Sequence, residues 1–284
     1  MGVFLASLVD GLMLGFVYGL AAMGLSLIWG VMQVINLAHG PIIALGMFSV
    51  YYLGVKAGLT PYGALIFSFL FGLLAGILIY FMAVHRVLDA PHLSTLLATF
   101  SVNLMIIGFG TVAFTTTPRA VDIKLPSISL GAVSIPATRF IAAFFALASA
   151  AGLYLFLYNT KLGKSVRAVA MNRAAAELMG VNTIQVLAFS FGLGTMLAMV
   201  AGGLIATLFP FTILSGSVYE LKSFVICVLG GLGNPAGALV GGIILGLLEG
   251  GTSAFIPVSW VPVIEFALLV LILLVKPKGL LGGG

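Results

Sequence analysis

Long apolar segments recur along the whole chain, and they constrain its fold more than any other feature. A helix must run for roughly 20 residues to cross the ~30 Å hydrocarbon core of a bilayer. Such segments occupy residues 11–28, 34–53, 62–84, 93–114, 140–158, 184–209, 224–232 with 236–248, and 260–275. They lack the alternation of a membrane barrel, so helices are the predicted spanning form. We predict an all-α, polytopic integral membrane helical bundle of about eight membrane elements, some of them broken or re-entrant. A single domain covers residues 1–284.

The composition excludes a soluble domain. Of the 284 residues, 62% are hydrophobic and 7% are charged, and the mean hydropathy is +1.27. A soluble fold of this size needs far more polar surface. The net charge of +5 is explained by basic residues that anchor cytoplasmic loops, so no nucleic-acid partner is expected. The single cysteine, Cys227, leaves no intrachain disulfide and no cysteine-based metal cluster.

A basic segment separates two apolar runs at residues 159–183 and holds four of the 12 Lys and Arg residues. Short loops rich in Lys and Arg stay in the cytoplasm. The pattern also predicts a short amphipathic helix, in which Arg173 pairs with Glu177 at i,i+4 and Leu178 shares an apolar edge with Val181. Gly180 is the expected end of this helix. A small-residue helix in the cytoplasm indicates a surface for a protein partner.

The charge distribution predicts an orientation. If the basic segment and the Lys276–Lys278 tail are both cytoplasmic, an even number of crossings separates them. This count is met if residues 224–248 form two half-helices that enter the membrane and return to the outer face. The N-terminus then lies outside, as does the loop at residues 115–139. That loop carries Arg119, Lys124 and Arg139, and its period-two pattern around Gly131 predicts a β-hairpin.

Two interruptions of the apolar runs are candidates for a transport pathway. Residues 36–41 contain Asn36, His39 and Gly40 followed by proline, and residues 230–237 contain Gly233 and Asn234 followed by proline. Polar groups at membrane depth indicate function, and paired breaks in the two halves of a chain indicate a substrate route. The structural alternative is that these side chains satisfy backbone groups freed at the breaks.

Enzyme motifs are absent from the sequence. Gly163-Lys164-Ser165 resembles the end of a phosphate-binding loop, but Tyr158 stands where that motif needs glycine. We therefore expect no ATP binding and no cofactor in this chain. There is no Gly-x-Ser-x-Gly elbow with a plausible histidine partner and no HExxH motif, so we do not expect an enzyme.

Four sequence segments together resemble the permease subunits of branched-chain amino-acid ABC importers, the LivH-like type. They are Asp10-Gly-Leu-Met-Leu-Gly-Phe-Val-Tyr-Gly-Leu20, Ile35-Asn-Leu-Ala-His-Gly40, the run from Asn172 to Asn182, and Val228-Leu-Gly-Gly-Leu-Gly-Asn-Pro-Ala-Gly-Ala238. The resemblance implies a multi-pass protein of the bacterial cytoplasmic (inner) membrane. It implies a complex with a second permease subunit, two cytosolic ATPase subunits that bind the ATP, and an external substrate-binding protein.

The resemblance also implies that residues 159–183 couple the permease to its ATPase. The residues that we assign to coupling are Arg173, Ala175, Ala176, Glu177, Gly180 and Val181. Pro41 stands where such permeases often carry an acidic residue, and related permeases serve urea, short amides or other small organic solutes. Those substrates therefore remain alternatives to branched-chain amino acids. An ATP-independent secondary transporter or channel is the alternative from another class.

Overall fold

The computed structural model describes residues 2–123, 125–130 and 133–282, and these form eleven α-helices and one two-stranded sheet. The helices are α1 (Gly2–Met32), α2 (His39–Val50), α3 (Pro61–Ile79), α4 (His92–Phe114), α5 (Ala137–Asn159), α6 (Lys161–Met171), α7 (Arg173–Leu178), α8 (Thr183–Ala206), α9 (Gly216–Gly230), α10 (Pro235–Ser253) and α11 (Val261–Val275). The strands are β1 (Ser127–Leu130) and β2 (Val133–Pro136).

Seven of the described helical stretches are long and apolar enough to cross a membrane, and α11 is a shorter apolar helix. This confirms the predicted all-α membrane bundle. Helices α1 and α8 form its largely buried centre, whereas α3 and α4 expose much of their apolar surface. In a bundle that crosses a bilayer, such an exposed apolar surface faces lipid or a neighbouring subunit.

Proline and a preceding polar cap mark where two of the helices begin. Pro61 opens α3 and Pro235 opens α10, at a position where the missing N–H costs nothing. The side-chain oxygens of Thr60 and Asn234 each accept a backbone N–H three residues ahead, at 3.1 Å. These contacts satisfy donors that a helix start leaves free.

Helices α1 and α10 lie antiparallel along a seam of glycines. A Cβ atom added at Gly15 would lie 2.8 Å from the carbonyl oxygen of Gly242, and one at Gly11 would meet the backbone of Gly246 and Gly250. Near the other end of α1, Gly30 touches the backbone of Gly233. Because dispersion drives helix association in lipid, this backbone approach stabilises the pair.

The predicted pair of half-helices is longer than expected. α10 has 19 residues, a length of about 28 Å, and the stretch Ile213–Gly230 that contains α9 is also of spanning length. The turn between them lies beside Gly30, two residues before α1 ends. The hairpin therefore reaches the full depth of α1, because its packing on α1 continues to that end. If α9 and α10 each cross the membrane, the number of crossings between the basic segment and the Lys276–Lys278 tail rises by two and is still even.

The predicted β-hairpin is confirmed. β1 and β2 pair antiparallel, with Ser127 opposite Pro136 and Ile128 opposite Ile135. Gly131, on which the prediction was centred, and Lys124 lie outside the described residues. Arg139 lies in the first turn of α5 rather than in the loop.

Candidate functional site

The basic segment folds as two short helices, each started by its own capping side chain. The hydroxyl of Thr160 accepts the N–H of Gly163 at 2.9 Å, and the side chain of Asn172 accepts that of Ala175 at 3.0 Å. Gly180 follows α7 with φ of +82°, a left-handed conformation that favours glycine. The expected end of the helix at Gly180 is therefore observed.

The predicted pair between Arg173 and Glu177 forms, and further contacts hold it. Arg173 Nε lies 3.4 Å from Glu177 Oε1, and Arg173 Nη1 lies 2.9 Å from Asp89 Oδ1 in the α3–α4 connection. The hydroxyl of Thr183 donates to the same Glu177 oxygen at 2.5 Å. These bonds tie α7 to the α3–α4 connection and to the start of α8.

The outer side of this segment is apolar and open. Met171, Leu178 and Met179 are 88%, 89% and 84% exposed. Among the residues assigned to coupling, Ala175, Glu177 and Gly180 are exposed, Arg173 and Val181 are partly buried, and Ala176 is buried. Ala176 therefore packs inward, and the long side chains of Met171 and Met179, which sequence analysis did not single out, form much of the surface.

Two backbone donors of the break before α2 are satisfied by side chains. The N–H of Leu37 donates to Thr99 Oγ1 of α4 at 3.3 Å, and that of Ala38 to Asn36 Oδ1 at 3.1 Å. The carboxylate of Glu220 on α9 lies beside Gly40, since a Cβ atom at Gly40 would lie 2.5 Å from Glu220 Oε2. The next residue, proline, has no donor. This arrangement makes a broken helix tolerable inside a bundle.

Asn36 and His39 point into the bundle and are fully buried. His39 Nε2 lies 3.0 Å from the carbonyl oxygen of Ala21 on α1. Asn36 Nδ2 and His39 Nδ1 have no hydrogen-bond partner among the described residues. Their contacts support the backbone at the break, and their part in transport stays a prediction.

The two breaks lie at different depths. Gly233 is beside Gly30, whereas His39 contacts Ala21, nine residues or about 13 Å earlier along α1. Asn234 is engaged locally, because its Nδ2 donates to the carbonyl of Leu281 at 3.0 Å. The edges of the breaks nevertheless approach each other. A small cavity between them is lined by Leu25, Trp29, Val34, Ile35, Phe224, Cys227 and Leu232.

A buried charge cluster joins three helices. Lys222 Nζ on α9 lies 2.6 Å from Glu249 Oε2 on α10 and 2.8 Å from Glu265 Oε1 on α11. The ammonium group also lies 4.8 Å from the centre of the Tyr18 ring on α1. Sequence analysis did not single out Lys222, although it is the only Lys or Arg between Arg173 and Lys276. A single basic residue within a long apolar stretch is the sequence feature that could have identified Lys222 as functionally or structurally important.

Comparison with known proteins identifies the family. Residues 7–273 match the family model described as the branched-chain amino acid transport system / permease component. The chain is 29% identical to the high-affinity branched-chain amino acid transport system permease protein LivH of Escherichia coli, and 30% identical to LivH of Salmonella typhimurium. It is 26% identical to the corresponding permease protein BraD of Pseudomonas aeruginosa. Each alignment covers 98% of this chain and 96% of the relative.

No solved structure matches the chain. The family model covers nearly all of the helical bundle, including both breaks and the segment that contains α6 and α7. This chain therefore belongs to the family of branched-chain amino acid transport system permease components.

Proposed function

We propose that this chain is the membrane-spanning permease subunit of an ATP-driven importer that moves branched-chain amino acids into the cytoplasm. The observation that carries the proposal is the exposed apolar surface of α6 and α7, found in a chain that belongs to this permease family. The chain has no nucleotide-binding motif of its own, so a separate subunit must hydrolyse the ATP.

The docking surface for the ATPase is the group of Met171, Leu178 and Met179. These side chains are exposed and lie outside the candidate spans. Large apolar side chains that are exposed outside a membrane span indicate a protein partner. The hydrogen bonds of Arg173 and Glu177 hold α7 in place, so movement of the ATPase would be transmitted to the α3–α4 connection and to α8.

The distribution of basic residues supports an orientation with this surface in the cytoplasm. The end of α1 and the start of α7 line one cavity, and the residues after Lys276 bond to the α9–α10 turn beside Gly30. The basic segment and the basic tail thus share one end of the bundle, as the excess of Lys and Arg in cytoplasmic segments requires. The β-hairpin at the opposite end then faces the external binding protein.

The substrate assignment rests on the names of the relatives and on the apolar residues between the two breaks. Each relative above is named for branched-chain amino acid transport. The residues that line the small cavity between the breaks are apolar, so the wall beside them can contact an aliphatic side chain. A second permease subunit would complete the route on the open face of α9.

Reconstitution tests the proposal. The tagged chain is purified with its bound subunits, placed in liposomes, and assayed for leucine uptake with and without ATP and the binding protein. We expect uptake only when both are present, with isoleucine and valine competing and urea not competing. Leucine uptake without ATP would contradict the proposal, and competition by urea alone would point to the alternative substrates.

A pair of variants tests the docking surface. Leu178→Asp should abolish recovery of the ATPase subunit while leaving the amount of inserted permease unchanged, because it places a charge in the apolar contact. The matched control is Ile128→Asp on β1, which is also exposed but lies on the hairpin. Loss of the ATPase in both variants, or in neither, would contradict the assignment.

A further inference from the structure

Four carboxylates lie within the apolar helices, and three of them have a cationic partner. Asp10 lies 3.0 Å from Arg139, while Glu249 and Glu265 share Lys222. Glu220 on α9 forms no ion pair with any residue in the part of the chain that the structure describes. A charged group at membrane depth is costly, so an uncompensated one points to a ligand that supplies the opposite charge.

The side chain of Glu220 lies against the break before α2. Its carboxylate lies beside Gly40. A Cβ atom at Gly40 would lie 2.5 Å from Glu220 Oε2 and 2.8 Å from the carbonyl oxygen of Gly216, so only glycine permits this approach. An ionised carboxylate has about four acceptor positions. The side chain is partly exposed, so acceptor positions are open to a ligand.

The exposed residues next to Glu220 on α9 are uncharged. Ser217, Leu221 and Phe224 are exposed on the same helix, within about one turn of Glu220. Phe224 and Ile35 line the cavity between the two breaks. One carboxylate beside an apolar wall is complementary to a molecule with a primary ammonium group and an aliphatic side chain.

We propose that Glu220 binds the α-ammonium group of the amino acid as it passes through the permease, an inference that rests on the proposed function above. The carboxylate forms a charge-assisted hydrogen bond with the ammonium group, and the apolar wall contacts the aliphatic side chain. Glu220 thereby favours amino acids over neutral amides and over carboxylates that lack an amine.

A structural role for Glu220 predicts a different result. Ala38, the residue that precedes α2, has no side-chain acceptor, and the structural alternative is that Glu220, beside Gly40, caps the helix in its place. Capping requires only an oxygen acceptor, which glutamine also provides. Ammonium binding requires the negative charge. Glu220→Gln therefore separates the two roles, because it keeps the acceptor and removes the charge.

The first test measures ATP-driven leucine uptake by the complete importer in proteoliposomes. Glu220→Gln should lower uptake by about tenfold or more, the effect of losing a charge-assisted hydrogen bond. Protein yield and ATP hydrolysis stimulated by the binding protein should stay unchanged. Val218→Ala, at an exposed position on a different face of the same helix, is the matched control and should transport normally. Normal uptake by Glu220→Gln would overturn the inference, whereas absence of ATP-driven uptake by the unaltered chain would refute the proposed function instead.

The second test needs neither transport nor a change at Glu220. In a Ser217→Cys variant of the complete importer, the rate of reaction with a water-soluble maleimide is measured. The native Cys227 is buried and should not react. Leucine and leucine methyl ester should slow the reaction, whereas 4-methylpentanoate, which lacks the amine, should not. Equal protection by all three molecules, or no protection by leucine, would overturn the inference.

Discussion

Lys222 Nζ on α9 lies 2.8 Å from Glu265 Oε1 on α11, with 8% of Lys222 and 4% of Glu265 exposed. Glu249 on α10 provides a second carboxylate to the same ammonium group at 2.6 Å. One buried cation thus joins the last three helices of the bundle. Both carboxylates depend on Lys222 for compensation, so the loss of either one should be far less damaging than the loss of Lys222.

Lys222→Met should destabilise the protein by about 3–5 kcal/mol, because the buried Glu265 and the partly buried Glu249 lose their common partner. Glu265→Gln should lower the stability much less, since Lys222 and Glu249 still form an ion pair with no net charge. Thermal unfolding in mild detergent measures both effects. Lys161→Met, at an exposed position on α6, is the control and should unfold like the unaltered chain. A Lys222→Met variant as stable as this control would show that the cluster does not stabilise the bundle.

Gly246→Val should separate α1 from α10. A Cβ atom at Gly246 would meet the backbone of Gly11 and Gly15, which cannot move aside as a flexible side chain can. We expect a loss of about 3 kcal/mol, the upper part of the usual range for overpacking. Gly152→Val on α5 is the matched control, because no atom lies within 4 Å of a Cβ atom there. Equal unfolding temperatures for the two variants would contradict the tight seam.

Gly180→Leu should weaken engagement of the ATPase through the backbone. No atom lies within 4 Å of a Cβ atom at Gly180, but its φ of +82° is unfavourable for leucine. The strain is about 1–2 kcal/mol and would shift the end of α7. Gly180→Asn should retain more function, because asparagine tolerates this conformation. The measurement is recovery of the ATPase subunit with the tagged permease. Equal recovery of the ATPase by both variants would indicate that the conformation at Gly180 is unimportant.

Cysteine labelling should place Ser253 and Leu178 on opposite sides of the membrane. Both residues are exposed, and they lie at the end of α10 and the end of α7. Ser253→Cys should react with an impermeant thiol reagent from outside the cell. Leu178→Cys should react only after the membrane is permeabilised. Labelling of both cysteines from outside would refute the proposed orientation.

Local sequence was sufficient to predict most elements of the fold. The apolar runs predicted the membrane helices, the period-two pattern predicted the β-hairpin, and Gly180 marked the end of α7. The break before α2 was also predicted, because glycine and proline interrupt a helix irrespective of its neighbours. Each of these features depends on residues within a few positions of one another.

The second break illustrates where local sequence was insufficient. Glycine and proline at residues 230–237 predicted a turn, and the structure has one. Its depth depends on the length over which α10 packs against α1, a contact between residues more than 200 positions apart such as Gly30 and Gly233. The sequence pattern therefore predicted two half-helices, whereas tertiary packing produced a hairpin that reaches the end of α1.

The sequence by itself determined that this protein is a helical membrane bundle with two breaks and a basic helical segment, because those properties follow from hydrophobic length, helix-breaking residues and local charge. Only the tertiary structure decided that Lys222 compensates Glu249 and Glu265, while Glu220 has no ion-pair partner among the described residues. Ion pairs between helices depend on distances across the bundle and on which face each helix buries. Neither quantity can be read along the chain.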